Sequence, residues 1–184
     1  GTFSFDDNSS NSSAEHILNL GGSQYSIGGS GIITHAGAGS CTVFGVMRFT
    51  KSGTQVYSRT ANTHLMQQVR IEIAAGSDLN IGTGNLVLAS SNTAALNLLR
   101  IYSGALLSLN DKQIVSEGTY SYSGLTVDSA GVISIQHPGG LYNGGNAAAI
   151  SASGNMNFTL DSNSVVEYSG SVNQIITGLG NGIA

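Results

Sequence analysis

Ile71-Glu72-Ile73-Ala74-Ala75-Gly76-Ser77-Asp78-Leu79-Asn80-Ile81 is the stretch on which the reading of the chain turns. Two apolar residues alternate with a polar one, small and polar residues follow, and the alternation resumes. Period two marks a strand with one buried face, and Gly, Ser and Asp are turn residues, so the segment reads as strand, corner, strand. The template returns in Leu99-Arg100-Ile101 to Leu107-Ser108-Leu109, in Leu125-Thr126-Val127 to Ile133-Ser134-Ile135, and in Phe158-Thr159-Leu160 to Val166-Glu167-Tyr168. In all four copies the last apolar residue before the corner and the first after it are six positions apart. Two weaker copies precede them, Leu18-Asn19-Leu20 to Tyr25-Ser26-Ile27 and Met47-Arg48-Phe49 to Val56, with the register after the corner shifted by a residue.

Taking Leu20, Phe49, Ile73, Ile101, Val127 and Leu160 as equivalent gives steps of 29, 24, 28, 26 and 33 residues. The remainder of each period holds a further short apolar segment: Ile32-Ile33, Leu65-Met66, Leu86-Val87-Leu88, Ile114-Val115, Ala147 to Ile150, and Ile175-Ile176. Three short strands per period suit one coil of a parallel β-solenoid, where strands stack on their equivalents in neighbouring coils. A sandwich would instead ask for hairpin turns between antiparallel neighbours and would not repeat one template at near-constant phase. The expected fold is therefore all-β, a right-handed parallel β-solenoid (β-helix) of about six coils. Residues 1–14, with the polar run Asp6 to Ser13, read as a linker or cap, and 15–184 as a single solenoid domain cut from a longer repeat protein. The stretch from His137 to Asn146 reads as an insertion that accounts for the longest step.

Stacking gives the repeat its physical reason, because equivalent positions about 4.8 Å apart in successive coils make a continuous apolar ladder. The inward ladders are expected to run through the six anchors on one side of the corner and through Leu79, Leu107, Ile133 and Val166 on the other. The outward residues just before the anchors are Asn19, Arg48, Glu72, Arg100, Thr126 and Thr159. Three consecutive coils would then present Arg, Glu, Arg, a ladder of unlike charges. The functional alternative for Arg48 and Arg100 is a surface contact with an anionic ligand.

Composition agrees with a turn-rich β protein. Gly, Ser, Asn and Thr fill 82 of the 184 positions, charged residues only 9%, and proline occurs once. Such a chain lacks the Glu, Lys, Gln and Arg that helices use, while 40% hydrophobic residues at a net charge of −4 argue against disorder. Six basic residues cannot form the stripe that a nucleic-acid backbone needs, and no apolar stretch reads as a signal peptide or membrane span. Cys41 has no intrachain partner and reads as a small buried residue.

Candidate chemistry is sparse. Solenoid polysaccharide lyases and hydrolases gather acids with Lys or Arg on one exposed face, whereas here the acids are scattered. Asp78, Asp128 and Asp161 fall near corners, where capping a turn is the ordinary role. His16, His35, His64 and His137 never stand at metal-ligand spacing, and no nucleophile elbow, phosphate loop or dinucleotide fingerprint occurs. No catalytic, cofactor-binding or metal-ligating residue is assigned. Of the tyrosines, Tyr120, Tyr122 and Tyr142 suggest an exposed cluster able to stack on sugar rings, and the others read as strand or edge residues.

The last copy carries a resemblance. Ser164-Val-Val-Glu-Tyr-Ser-Gly-Ser-Val-Asn-Gln-Ile-Ile-Thr177 is similar to a repeat found in very large exported surface proteins of Bacteroidota, in which a valine-rich strand ending in Tyr and Gly-Ser is followed by Gln and a short Ile/Thr strand. Such proteins resemble adhesins carried by the type IX secretion system, some of them used in gliding motility. The resemblance implies a bacterial cell-surface or extracellular location and export through regions outside this sequence. Asp128-Ser129-Ala130 also resembles the O-glycosylation triplet of that phylum, which makes Ser129 a candidate modification site. The resulting expectation is a structural, adhesive segment, a rigid stalk or passenger whose faces contact glycans or other surfaces weakly, with no cofactor. The alternative is a carbohydrate-active β-helix enzyme.

Overall fold

A computed structural model describes residues 2–6, 16–27, 32–36, 45–59, 65–67, 69–89, 98–117, 122–142, 148–151 and 155–176. Their regular structure is all β, 18 strands in four sheets with no helix among the described residues, and hence none long and apolar enough to cross a membrane. One six-stranded sheet runs β2 (His16–Leu20), β5 (Gly45–Phe49), β8 (Val69–Ile73), β11 (Leu99–Ile101), β14 (Tyr122–Val127) and β17 (Asn155–Leu160). A second runs β3 (Gln24–Ile27), β6 (Gly53–Arg59), β9 (Ser77–Ile81), β12 (Leu106–Asn110), β15 (Val132–Ile135) and β18 (Val165–Tyr168). Two three-stranded sheets hold β1 (Thr2–Asp6), β4 (Ile32–Ala36) and β7 (Leu65–Gln67), then β10 (Leu86–Ala89), β13 (Ile114–Glu117) and β16 (Ile150–Ser151). Every ladder is parallel, and each ladder joins a strand to the one three elements further along the chain.

The six anchors form one column, Leu20 against Phe49, Phe49 against Ile73, Ile73 against Ile101, Ile101 against Val127, and Val127 against Leu160. Leu79, Leu107, Ile133 and Val166 form the column beyond the corner. Both are buried in the middle repeats and only half-buried at Leu20, Leu160 and Val166, where a neighbour on one side is missing among the described residues. Leu86, Ile114 and Ile150 bring the third side into the same core.

Three details differ from the sequence reading. The register after the corner is not shifted in the second repeat: Gln55, not Val56, stands against Leu79 and is fully buried. Burial of an amide is tolerable only when its hydrogen bonds are made. Gln55 Nε2 donates to the carbonyls of Leu20 at 2.8 Å and Gly22 at 2.7 Å, and Oε1 accepts the Lys51 N–H at 3.1 Å. The apolar residue Tyr57 then falls on the next inward position, opposite Ile81, with Tyr25 paired to it from the first repeat. On the third side, β7 and β10 approach each other but share no ladder among the described residues. Finally, Ile175 and Ile176 form no strand and are 55% and 77% exposed. Gln174 holds them over the preceding repeat instead, donating to the carbonyls of Ile135 at 3.1 Å and His137 at 3.3 Å, while the Ile175 N–H donates to Pro138 at 2.9 Å. Gly140 lets that segment approach, since a Cβ there would meet the Ile175 carbonyl oxygen at 1.9 Å.

The corners stack as closely as the strands. Four-residue turns are closed by Ser77 N–H to Ala74, Ala105 N–H to Tyr102, Gly131 N–H to Asp128 and Ser164 N–H to Asp161, at 2.8 to 3.0 Å. Gly76, Gly104 and Ala130 occupy the third turn position with φ of 73°, 70° and 57°. Their amides are chained from repeat to repeat, Gly53 to Gly76, Gly76 to Gly104, Gly104 to Ala130 and Ala130 to Asn163, at 3.1 to 3.3 Å. An L-residue in the left-handed region costs about 1–2 kcal/mol, partly offset by the larger chain entropy that glycine loses. Ala130→Gly is therefore expected to stabilise the fold by about 0.5–1 kcal/mol in urea denaturation, and an unchanged or lower midpoint would contradict the turn geometry.

Burial pushes the Tyr57 phenol up from 10.0 to about 12, against the opposing charge of Arg59. A folded-state pKa above the unfolded one gives stability that is complete below pH 10 and is lost as pH rises toward about 12. The two-unit shift corresponds to roughly 2–3 kcal/mol. Tyr57→Phe should flatten the alkaline limb of the stability curve across that window, followed by circular dichroism in denaturant at each pH.

Candidate functional site

Three of the four arginines gather on the outward face of the first six-stranded sheet. Alternation puts Val69, Ile71 and Ile73 of β8 in the core and turns Arg70 and Glu72 outward. Parallel pairing then sets Arg48 of β5 and Arg100 of β11 on either side of Glu72. Tyr102, one residue past the anchor Ile101, and Asp128, one past Val127, sit where the chain enters its corners.

Glu72 is the centre of the cluster and is only 1% exposed although it points away from the core. Its Oε2 accepts from Arg48 Nε at 2.7 Å and from the Tyr102 hydroxyl at 3.2 Å, and its Oε1 pairs with Arg70 Nε at 2.8 Å. Arg100 instead forms a fork on Asp128, Nη2 to Oδ2 at 3.0 Å and Nε to Oδ2 at 3.2 Å. The expected Arg, Glu, Arg ladder thus exists in register but is bonded on one side only, and the cation completing it is Arg70 from the same strand. The guanidinium carbons of Arg100 and Arg48 lie 4.5 Å and 5.9 Å from the Tyr102 ring centre, so the phenol ring is faced by both cations.

Hydrogen bonding to Asp128 raises the Arg100 pKa further, keeping that side chain charged. Burial, reinforced by the Glu72 charge, raises the Tyr102 pKa against the pull of Arg100 and Arg48, so its hydroxyl remains a donor to Glu72. Chemically the arrangement offers guanidinium groups to solvent, with side-chain exposures of 27% at Arg48 and 41% at Arg100, and withholds its buried carboxylate. A general acid or base must touch its substrate, which Glu72 in this geometry does not.

The other expected contact residues lie elsewhere. Tyr142 is half-buried against the core, its ring centre 5.3 Å from that of Phe158. Tyr122 opens β14 opposite Asn155, and Tyr120 lies outside the described residues. Ser129 is the half-buried second residue of the Asp128 turn. Of the three acids assigned to corners, Asp161 accepts the Asn163 N–H at 3.1 Å and caps its own turn, Asp128 serves Arg100, and Asp78 is a strand residue in β9. Cys41 and His64 lie outside the described residues. His137 accepts the Gly139 N–H through Nδ1 at 3.1 Å, and no three His, Cys, Asp or Glu gather as metal ligands among the described residues.

Sequence reasoning passed over Arg70, Tyr102 and the second role of Asp128. Arg70 was visible as the residue two before Glu72 on the same outward face, and Tyr102 and Asp128 as successive members of the position after the anchor. Compared with protein families, with curated proteins and with solved structures, the chain matches none of them.

Glu72→Gln keeps the shape and removes the charge that Arg48 and Arg70 share. Removing one partner of a fully buried pair costs about 3–5 kcal/mol, and partial exposure of these arginines reduces it, so a loss of about 2 kcal/mol is expected in urea denaturation. A loss below about 0.5 kcal/mol would mean that the cluster contributes nothing net.

Proposed function

We propose that the chain is a right-handed parallel β-solenoid of about six coils, serving as a stiff structural and adhesive segment of a large secreted or cell-surface bacterial protein. The observation that supports the reading is the parallel stacking of the two six-stranded sheets, with one register shift at Ser108/Asn110, in which each repeat is hydrogen-bonded to the next at strand and corner alike. A body built that way resists bending and offers the same kinds of outward residue again and again along its length. Ser, Thr and Asn at outward strand positions, together with Arg48 and Arg100, supply polar contacts to glycans or other surfaces. Each contact is weak, and display in many copies raises avidity by about 10²–10⁴ without any new contact. Ser129, the half-buried second residue of its turn, is the position we assign to O-linked glycan in the native cell.

A carbohydrate-active enzyme is the second reading, favoured by the convergence of two carboxylates and three guanidinium groups on one face. The two readings separate in one experiment. The chain is coupled to beads at high density and presented to immobilised neutral and acidic polysaccharides, in parallel with the free chain, and the supernatants are assayed for new reducing ends and unsaturated sugars. Retention of beads with little retention of free chain, and no product, is the expected result. Product formation abolished by Asp128→Asn would replace the adhesive reading with the enzymatic one, and beads that bind no surface would end the adhesive reading.

A further inference from the structure

The fold uses only one edge of the Arg100 guanidinium. Nε and Nη2 bond the Asp128 carboxylate, which leaves Nη1 and the second Nη2 hydrogen without an acceptor among the described residues, on a side chain 41% exposed. From this edge, and from Arg48 two layers away, we infer that the outward face of the first six-stranded sheet is a binding site for an acidic polysaccharide, with successive carboxylate or sulfate groups seated on Arg100 and Arg48. The inference rests on the adhesive reading and names the class of glycan.

Spacing selects the ligand. Arg48, Glu72 and Arg100 share one outward column, so the two arginines stand two layers apart, about 10 Å at roughly 4.8 Å per layer. An extended glycan with one anion per disaccharide presents its charges at a comparable interval when it lies along the stack. Duplex nucleic acid carries a charge about every 1.7 Å, which a chain of net charge −4 with six basic residues does not match. The cations are also held in place before a ligand arrives. Glu72 and Tyr102 lie between them, the phenol ring 4.5 Å and 5.9 Å from their guanidinium carbons, so little side-chain freedom is left to lose on binding.

The chemistry of the face agrees. The open edge of Arg100 offers two roughly parallel N–H groups, the fork that two oxygens of one anionic group accept. Thr126, the ladder neighbour of Arg100 in the next layer, has a buried hydroxyl with no hydrogen-bond partner, so this face holds donor capacity that the protein itself does not use. Glu72 is covered by its partners and cannot repel an incoming anion at contact, whereas Asp128, 23% exposed at its side chain, opposes one. That opposing charge makes each contact weak and gives the site a signed test. The layers that carry the patch are described without a break from outward strand through corner, over residues 45–59, 69–89, 98–117 and 122–142.

The chain on polystyrene beads is presented with immobilised κ-carrageenan, which carries a sulfate on each disaccharide, with hyaluronan, which carries a carboxylate on each, with neutral agarose and with duplex DNA. Retention on one or both acidic glycans is expected at least about fivefold above agarose, and the better arm identifies the anion. It should fall to the agarose level in about 1 M salt, where charges are screened beyond about 3 Å. Arg100→Gln should lose the excess, while Lys112→Gln, an equal loss of charge at a residue paired with Asp111 beyond β12, should keep it. Asp128→Asn removes the opposing charge and keeps an oxygen for Arg100, so retention should rise about twofold or more, whereas a merely structural fork would lower it. Circular dichroism checks the fold of each variant, and Asp128→Asn with the salt series carries the test should Arg100→Gln not fold. Equal retention on agarose and both acidic glycans, an Arg100→Gln chain that binds as wild type, or a loss of retention in Asp128→Asn overturns the inference and leaves the adhesive reading standing. Stronger retention on DNA than on either glycan overturns it too, and beads that bind no surface end both readings.

Discussion

Among the described residues no strand pairs with its chain neighbour, so the backbone amides of these strands find their partners in another repeat. That single constraint forces equivalent positions of successive repeats into columns about 4.8 Å apart, and a column accepts only residues that tolerate one another at that distance. Apolar columns fill the core, and small and turn-forming residues fill the corners. The low charge content of the chain is a consequence, since each cation or anion is repeated against its neighbours along the stack.

The exceptions to the columns are the places where polar groups tie layers together. Gln55 replaces an apolar residue in the core and satisfies itself on carbonyls of the previous repeat. Asn110, at φ 55°, donates to the Asn80 side chain and the Ile81 carbonyl of the layer before, and Gln113 donates to Ala148 of the layer after. Gln174 closes the last layer over residues 135–138. Amides recur in this role because one side chain both donates and accepts, and can therefore bridge backbone groups that the corners leave over.

The arginine cluster illustrates how the same constraint produces a surface feature. One glutamate placed outward on a central strand is buried by Arg48, Arg70 and Tyr102, and this leaves Arg100 to find Asp128. The result is a patch rimmed by guanidinium groups over a buried carboxylate. Away from this patch, the large apolar side chains exposed among the described residues belong to the first and last layers.

Periodicity in the sequence alone determined the all-β architecture, the parallel pairing implied by one template repeated in phase, and the identity of both inward columns, from Leu20 to Leu160 and from Leu79 to Val166. These were legible because a column demands the same kind of residue at the same place in every repeat, and alternation exposes it. The tertiary structure alone decided which polar residues break the pattern and what they bind. Gln55 carries no apolar signal, and its fitness for the core depends on two carbonyls more than thirty residues away. The pairing of Arg100 with Asp128 instead of Glu72 depends on how Arg48, Arg70 and Tyr102 crowd the Glu72 carboxylate in three dimensions. Competition for a hydrogen-bond acceptor is settled by distances in three dimensions, and spacing along a chain does not encode it.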